Sequence, residues 1–350
     1  MEDYNYETIY QCSPHIQSRH FTKLMYVVMK KGEIKKEYMT KSEINRKNEE
    51  GWTALMLAAR NSMTDSSNET VKLLLKNGAE VNLKNKQGST ALMLAVRYSR
   101  TESSNETVKL LLKNGAEVNL KNRQGLTALM IAARYSRTES SNETVKLLLD
   151  NGAEVNLKDE EGSTALMTAA GCSRTGSSNE TVKLLLDNGA EVNLKDEEGW
   201  TALMLAALYS ITNSSNETVK LLLDNGAEVN LKNEQGLTAL MMSAANSNTG
   251  SSNETVKILI ENGADVNLKD HNGWTAMMFV THMDNNEIVE ILLKKGVNVN
   301  LKNNNGKSAL MLAIAFNRNE TVKMIIENGG EVRFMSIEKN DEMQKIIMSK

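Results

Sequence analysis

The sequence predicts an all-α solenoid of stacked helix-turn-helix units, on three observations. A block reading Glu106-Thr107-Val108-Lys109-Leu110-Leu111-Leu112, then Lys113-Asn114-Gly115-Ala116-Glu117-Val118-Asn119-Leu120, recurs almost letter for letter from about Asn48 to Glu331. A Gly-x-Thr-Ala-Leu-Met marker begins at Gly51, Gly88, Gly125, Gly162, Gly199 and Gly236, with variants at Gly273 and Gly306. Successive markers stand 37 residues apart six times, and the last step is 33. A repeat array grows by adding units and not by adding cores, so the 350 residues read as one elongated domain.

Taken in order, residues 1–18 carry the only proline, Pro14, and no clear period, so a loose arm is expected. From Arg19 to Lys31 the residues Phe21, Leu24, Met25, Val28 and Met29 fall on one helical face, closed by Gly32. The stretch Glu43 to Gly51 aligns with Glu80 to Gly88, so residues 19–47 read as a degenerate capping repeat with a charged outer face. Residues 48–335 hold eight repeats, and Ser336 to Lys350, with Ile337, Met343, Ile346 and Ile347, reads as a closing helix or tail.

Each repeat opens on a turn such as Asn122-Arg123-Gln124-Gly125, with type I turn residues at its first and fourth places. Thr127 then suits an N-cap, and Ala128 to Ala133 is a short helix so apolar that its neighbours must cover it on most sides. Ser140-Ser141-Asn142-Glu143 offers a second cap of the Ser-x-x-Glu type. The second helix buries Val145, Leu148 and Leu149, turns Lys146 outward and ends at Asn151-Gly152. The triplet Asn-Glu-Thr, at Asn68, Asn105, Asn142, Asn179, Asn216, Asn253 and Asn319, formally matches a glycosylation acceptor and is read here as a recurring helix start.

At these residues the sequence resembles the ankyrin repeat family, whose unit runs Asp-x-x-Gly-x-Thr-Pro-Leu-His, then a Val-x-Leu-Leu-Leu helix, then Gly-Ala-Asp-Val-Asn. Gly263-Ala264-Asp265-Val266-Asn267 matches the last element fully, and the resemblance covers residues 43–332. It implies an ankyrin-repeat solenoid with β-hairpin or turn fingers and a concave groove in which proteins bind. The array is similar to those of protist, giant-virus and intracellular-bacterial proteins. The family's proline is Ala here (Ala54, Ala91, Ala128), which the helix tolerates, and its histidine is Met (Met56, Met93, Met130), an adaptable apolar contact. Six repeats carry four extra residues between the helices, as at Ser136 to Ser141. These are expected to form a Ser/Thr-rich ridge opposite the fingers, or else to lengthen the first helix by about one turn.

No chemistry of catalysis stands out. The cysteines are Cys12 and Cys172, with no Cys-x-x-Cys pair, and the histidines His15, His20, His271 and His282 do not recur with the repeat. No glycine-rich phosphate loop or nucleophile elbow occurs. The expectation is a protein that is not an enzyme, with no catalytic residue, no cofactor and no metal. The net charge of −3 and the lack of a basic stripe place nucleic acid last among partners. No run of 18 apolar residues and no secretory leader is seen, so a cytoplasmic protein is expected, with the nucleus as second choice and the host cytoplasm if the source is viral or bacterial.

The repeats also differ from one another in a patterned way. The residue after the marker glycine runs Trp52, Ser89, Leu126, Ser163, Trp200, Leu237, Trp274 and Lys307. The ninth and tenth include Arg60-Asn61, Arg97-Tyr98, Arg134-Tyr135, Gly171-Cys172 and Leu208-Tyr209. In the resembled family these places line the groove, and Trp, Tyr and Arg are enriched at interface hot spots. Charge changes along the fingers, from Lys86 and Arg123 to Glu160, Glu161, Glu197 and Glu198, with Arg100, Arg137 and Arg174 in nearby loops. The expected partner site is therefore Trp52, Lys86, Arg97, Tyr98, Arg123, Arg134, Tyr135, Glu160, Glu161, Trp200, Tyr209 and Trp274, on a monomer rather than an oligomer. Two other readings compete: a substrate adaptor for a ubiquitin ligase, and a self-assembling structural element using the ridge.

Overall fold

The computed structural model describes residues 21–30, 34–61, 65–98, 102–136, 139–172, 176–210, 213–246 and 250–331. They fall into two compact units, one up to Arg123 and one from Gln124 onward. The expected arm 1–18, the closing helix 336–350 and the loop arginines Arg100, Arg137 and Arg174 lie outside the described residues.

In the first unit, α1 (Lys23–Met29) starts where the Thr22 hydroxyl accepts from Met25 N at 3.2 Å. It buries Leu24, Met25 and Val28 against α3 (Ala54–Arg60). A short 3-10 turn (Lys36–Tyr38) and α2 (Lys41–Ile44) lead to the first marker. Then come α4 (Asp65–Lys76), α5 (Ala91–Arg97) and α6 (Glu102–Lys113), with α3 on α5 and α4 on α6.

The second unit repeats the pair six times. The first helices are α7 (Ala128–Arg134), α9 (Ala165–Gly171), α11 (Ala202–Leu208), α13 (Ala239–Ala245), α15 (Ala276–Met283) and α17 (Ala309–Ala315). The second helices are α8 (Glu139–Asp150), α10 (Gly176–Asp187), α12 (Asn213–Asp224), α14 (Gly250–Glu261), α16 (Asn286–Lys294) and α18 (Asn319–Glu327). First helices pack side by side in chain order, and so do second helices. This is the all-α stack the sequence predicts. The fingers are turns, with one isolated bridge, Lys302 to Ser308, among the described residues.

A helix of seven residues is too short to persist alone, so packing must hold it. In α7 all six residues from Ala128 to Ala133 are buried. Thr127 caps it as expected, its hydroxyl 3.3 Å from Met130 N. The Met that replaces the family's histidine also keeps a polar duty: Met130 Sδ accepts from Thr127 N at 3.5 Å, and Met167 Sδ from Thr164 N at 3.4 Å. Second helices end in a Schellman turn, Ala79 N donating to Leu74 O at 3.0 Å around the left-handed Gly78.

The extra residues do something the sequence did not announce. First helices of the long repeats have seven residues, against eight in α15 and seven in α17, so they are not lengthened. Second helices have twelve residues in the long repeats, against nine in α16 and α18. Most of the insertion therefore adds a turn to the start of the second helix and is not a loop ridge. Ser140 lies inside that turn, and in the six long repeats the Asn-Glu-Thr triplet begins three residues inside the helix, whereas Asn319 opens α18 as expected. Serine and asparagine are weak helix formers, but tertiary bonds override propensity here. Thr181 Oγ1 donates to Asn142 Oδ1, and Thr218 Oγ1 to Asn179 Oδ1, both at 2.7 Å, from one repeat to the one before. Asn68, Asn105, Asn216 and Asn253 are buried, as an internal ladder requires and a glycan site does not.

Three further ladders account for the near-invariance of the framework. Asn82 Nδ2 donates to Gly115 O at 3.0 Å and to Glu117 Oε1 at 2.9 Å, while its Oδ1 accepts from Glu117 N at 2.9 Å. Asn193 does the same for Gly226 and Glu228, and Asn45 for Gly78 and Glu80. Lys84 Nζ reaches Lys121 O, and Lys158, Lys195, Lys232 and Lys269 each reach the carbonyl of the lysine one repeat on. At the fingertips, Lys86 N donates to Glu50 O at 2.9 Å and Glu197 N to Glu161 O at 3.0 Å. This last contact explains the marker glycines: a Cβ on Gly162 would stand 2.8 Å from Glu197 N, at a φ of +80°.

Candidate protein-interaction surface

The framework residues are committed to these ladders, which leaves the fingertips and the C-terminal ends of the first helices as variable surface. In the first unit the two meet. Arg60, last residue of α3, holds its guanidinium carbon 5.5 Å from the Trp52 ring and 5.7 Å from the Tyr98 ring. Arg97 approaches the same Tyr98 ring at 5.8 Å. Trp52, Arg97 and Tyr98 of the expected site are thus one connected group, and Arg60 is its link. On the fingertips Lys86 pairs with Glu50 at 3.6 Å, both 57% exposed. That pairing offsets the basic character expected of the early fingers, though such an exposed pair adds little stability. Arg123 is exposed at the next tip, its N–H bound to Gln87 O at 2.9 Å.

In the second unit Arg134 is exposed at the end of α7 and Tyr135 is half-buried. Glu160 and Glu161 are exposed at one tip and Glu197 and Glu198 at the next, joined by the backbone bond from Glu197 to Glu161. Trp200 Nε1 donates to Glu198 Oε2 at 3.2 Å. Tyr209, the residue that caps the C-terminal end of α11, is 45% exposed. Trp274 lies against Phe279, ring centres 5.2 Å apart.

The ninth and tenth positions are coupled across repeats, which their variation in sequence does not reveal. Residue nine of one repeat meets residue ten of the next: Arg60 on Tyr98, and His282 on Phe316 edge-on at 4.8 Å. A Cβ on Gly171 would stand 3.8 Å from the Tyr209 ring, and Asn246 Nδ2 donates to Leu208 O. The signal was present as matched sizes, glycine facing tyrosine, but pairing it needed the one-repeat offset. Phe279, His282 and Phe316 join the surface only through these contacts.

Among the described residues no group of three or more His, Cys, Asp and Glu side chains could hold a metal ion. Among them no helix is long and apolar enough to cross a membrane. The described residues instead define a helical repeat scaffold, with an invariant interior and a variable rim of aromatic and charged side chains.

Comparison with known proteins places that scaffold. The model of ankyrin repeats (three copies) matches residues 24–122, 101–196, 171–270 and 240–335, nearly the whole chain. The chain belongs to the ankyrin repeat family, whose repeats are generally protein-interaction modules in non-enzymatic scaffolds. Three ankyrin repeat proteins of Acanthamoeba polyphaga mimivirus are similar to it. One is 42% identical over 92 residues, covering 23% of this chain and 14% of the relative. The second is 46% identical over 68 residues (17% and 12%), and the third 38% over 87 residues (22% and 16%). The matched segments thus span about a sixth or less of these relatives.

Proposed function

We propose that the chain is a non-enzymatic scaffold that binds a protein partner along the groove lined by its fingers and the ends of its first helices. One observation carries the reading. The near-invariant positions are spent on repeat-to-repeat bonds, while the varying positions gather the exposed Tyr209, Arg97 and Arg134 and the half-buried Trp200. Interface hot spots favour these residue types, which offer large contact area and directed charge. The remaining candidates, Trp52, Lys86, Tyr98, Arg123, Tyr135, Glu160, Glu161 and Trp274, belong to the same proposal. Similarity to giant-virus proteins supports the cytoplasm of an infected host as the setting and a host protein as the partner.

Hydrogen–deuterium exchange on the full chain in complex with a captured partner tests this. Protection at the fingertips and the ends of α9 and α11 is expected. Protection confined to the outward faces of the second helices would overturn the reading.

A further inference from the structure

We propose that Trp200, with Glu198 at its edge and Glu161, Glu197 and Glu234 on the same and adjoining fingertips, receives an arginine side chain from a basic segment of the partner. The proposal rests on the groove reading and adds the partner's chemistry.

All three tryptophans occupy the place after a marker glycine, and each has a different neighbour. Trp52 is covered by the guanidinium of Arg60 at 5.5 Å, and Trp274 meets the ring of Phe279 at 5.2 Å. Trp200 is half-buried, with Nε1 donating to Glu198 Oε2 at 3.2 Å and its main-chain N to Asp196 Oδ1 at 2.8 Å, and among the described residues no cation or aromatic ring stacks on its indole.

The first repeat shows what this place holds when the chain supplies its own cations. There Arg60 lies on the indole and Lys86 pairs with Glu50, the carboxylate before the marker glycine. The repeat at Gly199 keeps both acceptors, Trp200 for Trp52 and Glu198 for Glu50. It replaces both donors, with Leu208 where Arg60 stands and Glu234 where Lys86 stands. The receiving half of a cation site is retained and its cations are gone. Among the described residues no Lys, Arg or His nitrogen comes within ion-pair distance of Glu161, Glu197, Glu198 or Glu234. The backbone bonds Glu197 N to Glu161 O and Glu234 N to Glu198 O, both 3.0 Å, tie these tips together one repeat apart.

Arginine fits better than lysine. Its planar guanidinium can lie on the indole face while its in-plane N–H groups donate to a carboxylate at the ring's edge. An ammonium is a more strongly hydrated point charge with no flat face to stack.

The test uses the full chain and a fluorescein-labelled nonapeptide of alternating glycine and arginine, beside the lysine version, read by fluorescence anisotropy. The arginine peptide should bind about fivefold or more tighter than the lysine peptide, and more weakly as salt rises. Trp200→Ala should weaken it about tenfold, while Trp200→Phe, which keeps a ring, should retain most of the affinity. Leu208→Arg with Glu234→Lys restores the chain's own cations and should weaken the peptide as much as Trp200→Ala does. Circular dichroism confirms that each variant is folded. Equal binding of the two peptides, indifference to Trp200→Ala, or no binding to the unaltered chain would overturn the proposal. The groove reading would then still stand or fall on the exchange footprint, which does not depend on arginine.

Discussion

Arg60 of one repeat lies against Tyr98 of the next, its guanidinium carbon 5.7 Å from the ring centre. The contact joins two positions that vary from repeat to repeat, so part of the variation is matched between neighbours. A double-mutant cycle on Arg60→Ala and Tyr98→Ala should show a coupling of about 0.5–1 kcal/mol in urea unfolding, as an exposed cation–π contact gives. Strict additivity would mean that the contact carries no energy.

The marker glycines separate steric from torsional cost. Gly125 and Gly306 share nearly the same left-handed φ, +75° and +73°. A Cβ at Gly125 would stand 2.5 Å from Glu160 N, whereas at Gly306 nothing lies within 4 Å. Both alanine variants pay the left-handed penalty of about 1–2 kcal/mol. Gly125→Ala should cost at least about 1 kcal/mol more, because the next finger must move. Equal losses of stability would deny the fingertip stacking.

The buried Asn–Thr ladder is predicted to matter more than its polar, serine-rich surroundings suggest. Asn68→Ala leaves the Thr107 hydroxyl buried with its acceptor removed, at a cost of about 1–3 kcal/mol. Adding Thr107→Val should recover part of that loss, since neither half then needs a partner. Thermal unfolding of the single and double variants measures it, and a double variant worse than the sum would contradict the ladder.

Much of this was legible in the sequence, and the failures have a physical pattern. The 37-residue period, the Thr127 cap and the Asn85-to-Gly88 turn, with Gly88 N bound to Asn85 O at 2.9 Å, follow from local chemistry. The start of the second helix does not. Ser140 and Asn142 look like cap residues, but the stretch is helical, and the bond to Asn142 from Thr181, 39 positions on, is one that local sequence does not announce. The candidate surface divides the same way. That the tenth place reaches the surface follows from the repeat, but how far does not (Tyr209 is exposed and Tyr135 half-buried), and the covering of Trp52 by Arg60 and the ion pair of Lys86 with Glu50 depend on side-chain reach.

If the rim serves recognition and not folding, its variants must spare stability. Tyr209, 45% exposed, can be changed to alanine at a cost of no more than about 1 kcal/mol. Leu148, fully buried, should lose about 2–5 kcal/mol on the same change. Urea midpoints of the two variants give the contrast, and a large loss at Tyr209 would assign it to the fold.

The central claim is tested most directly by proximity labelling in host cells, comparing the intact chain with a variant carrying Trp200→Ala, Tyr209→Ala and Arg134→Ala. The account predicts that at least one labelled protein disappears with the variant while its helical circular dichroism is unchanged. An identical set of labelled proteins from the two chains, or recovery mainly of the chain itself, would contradict it.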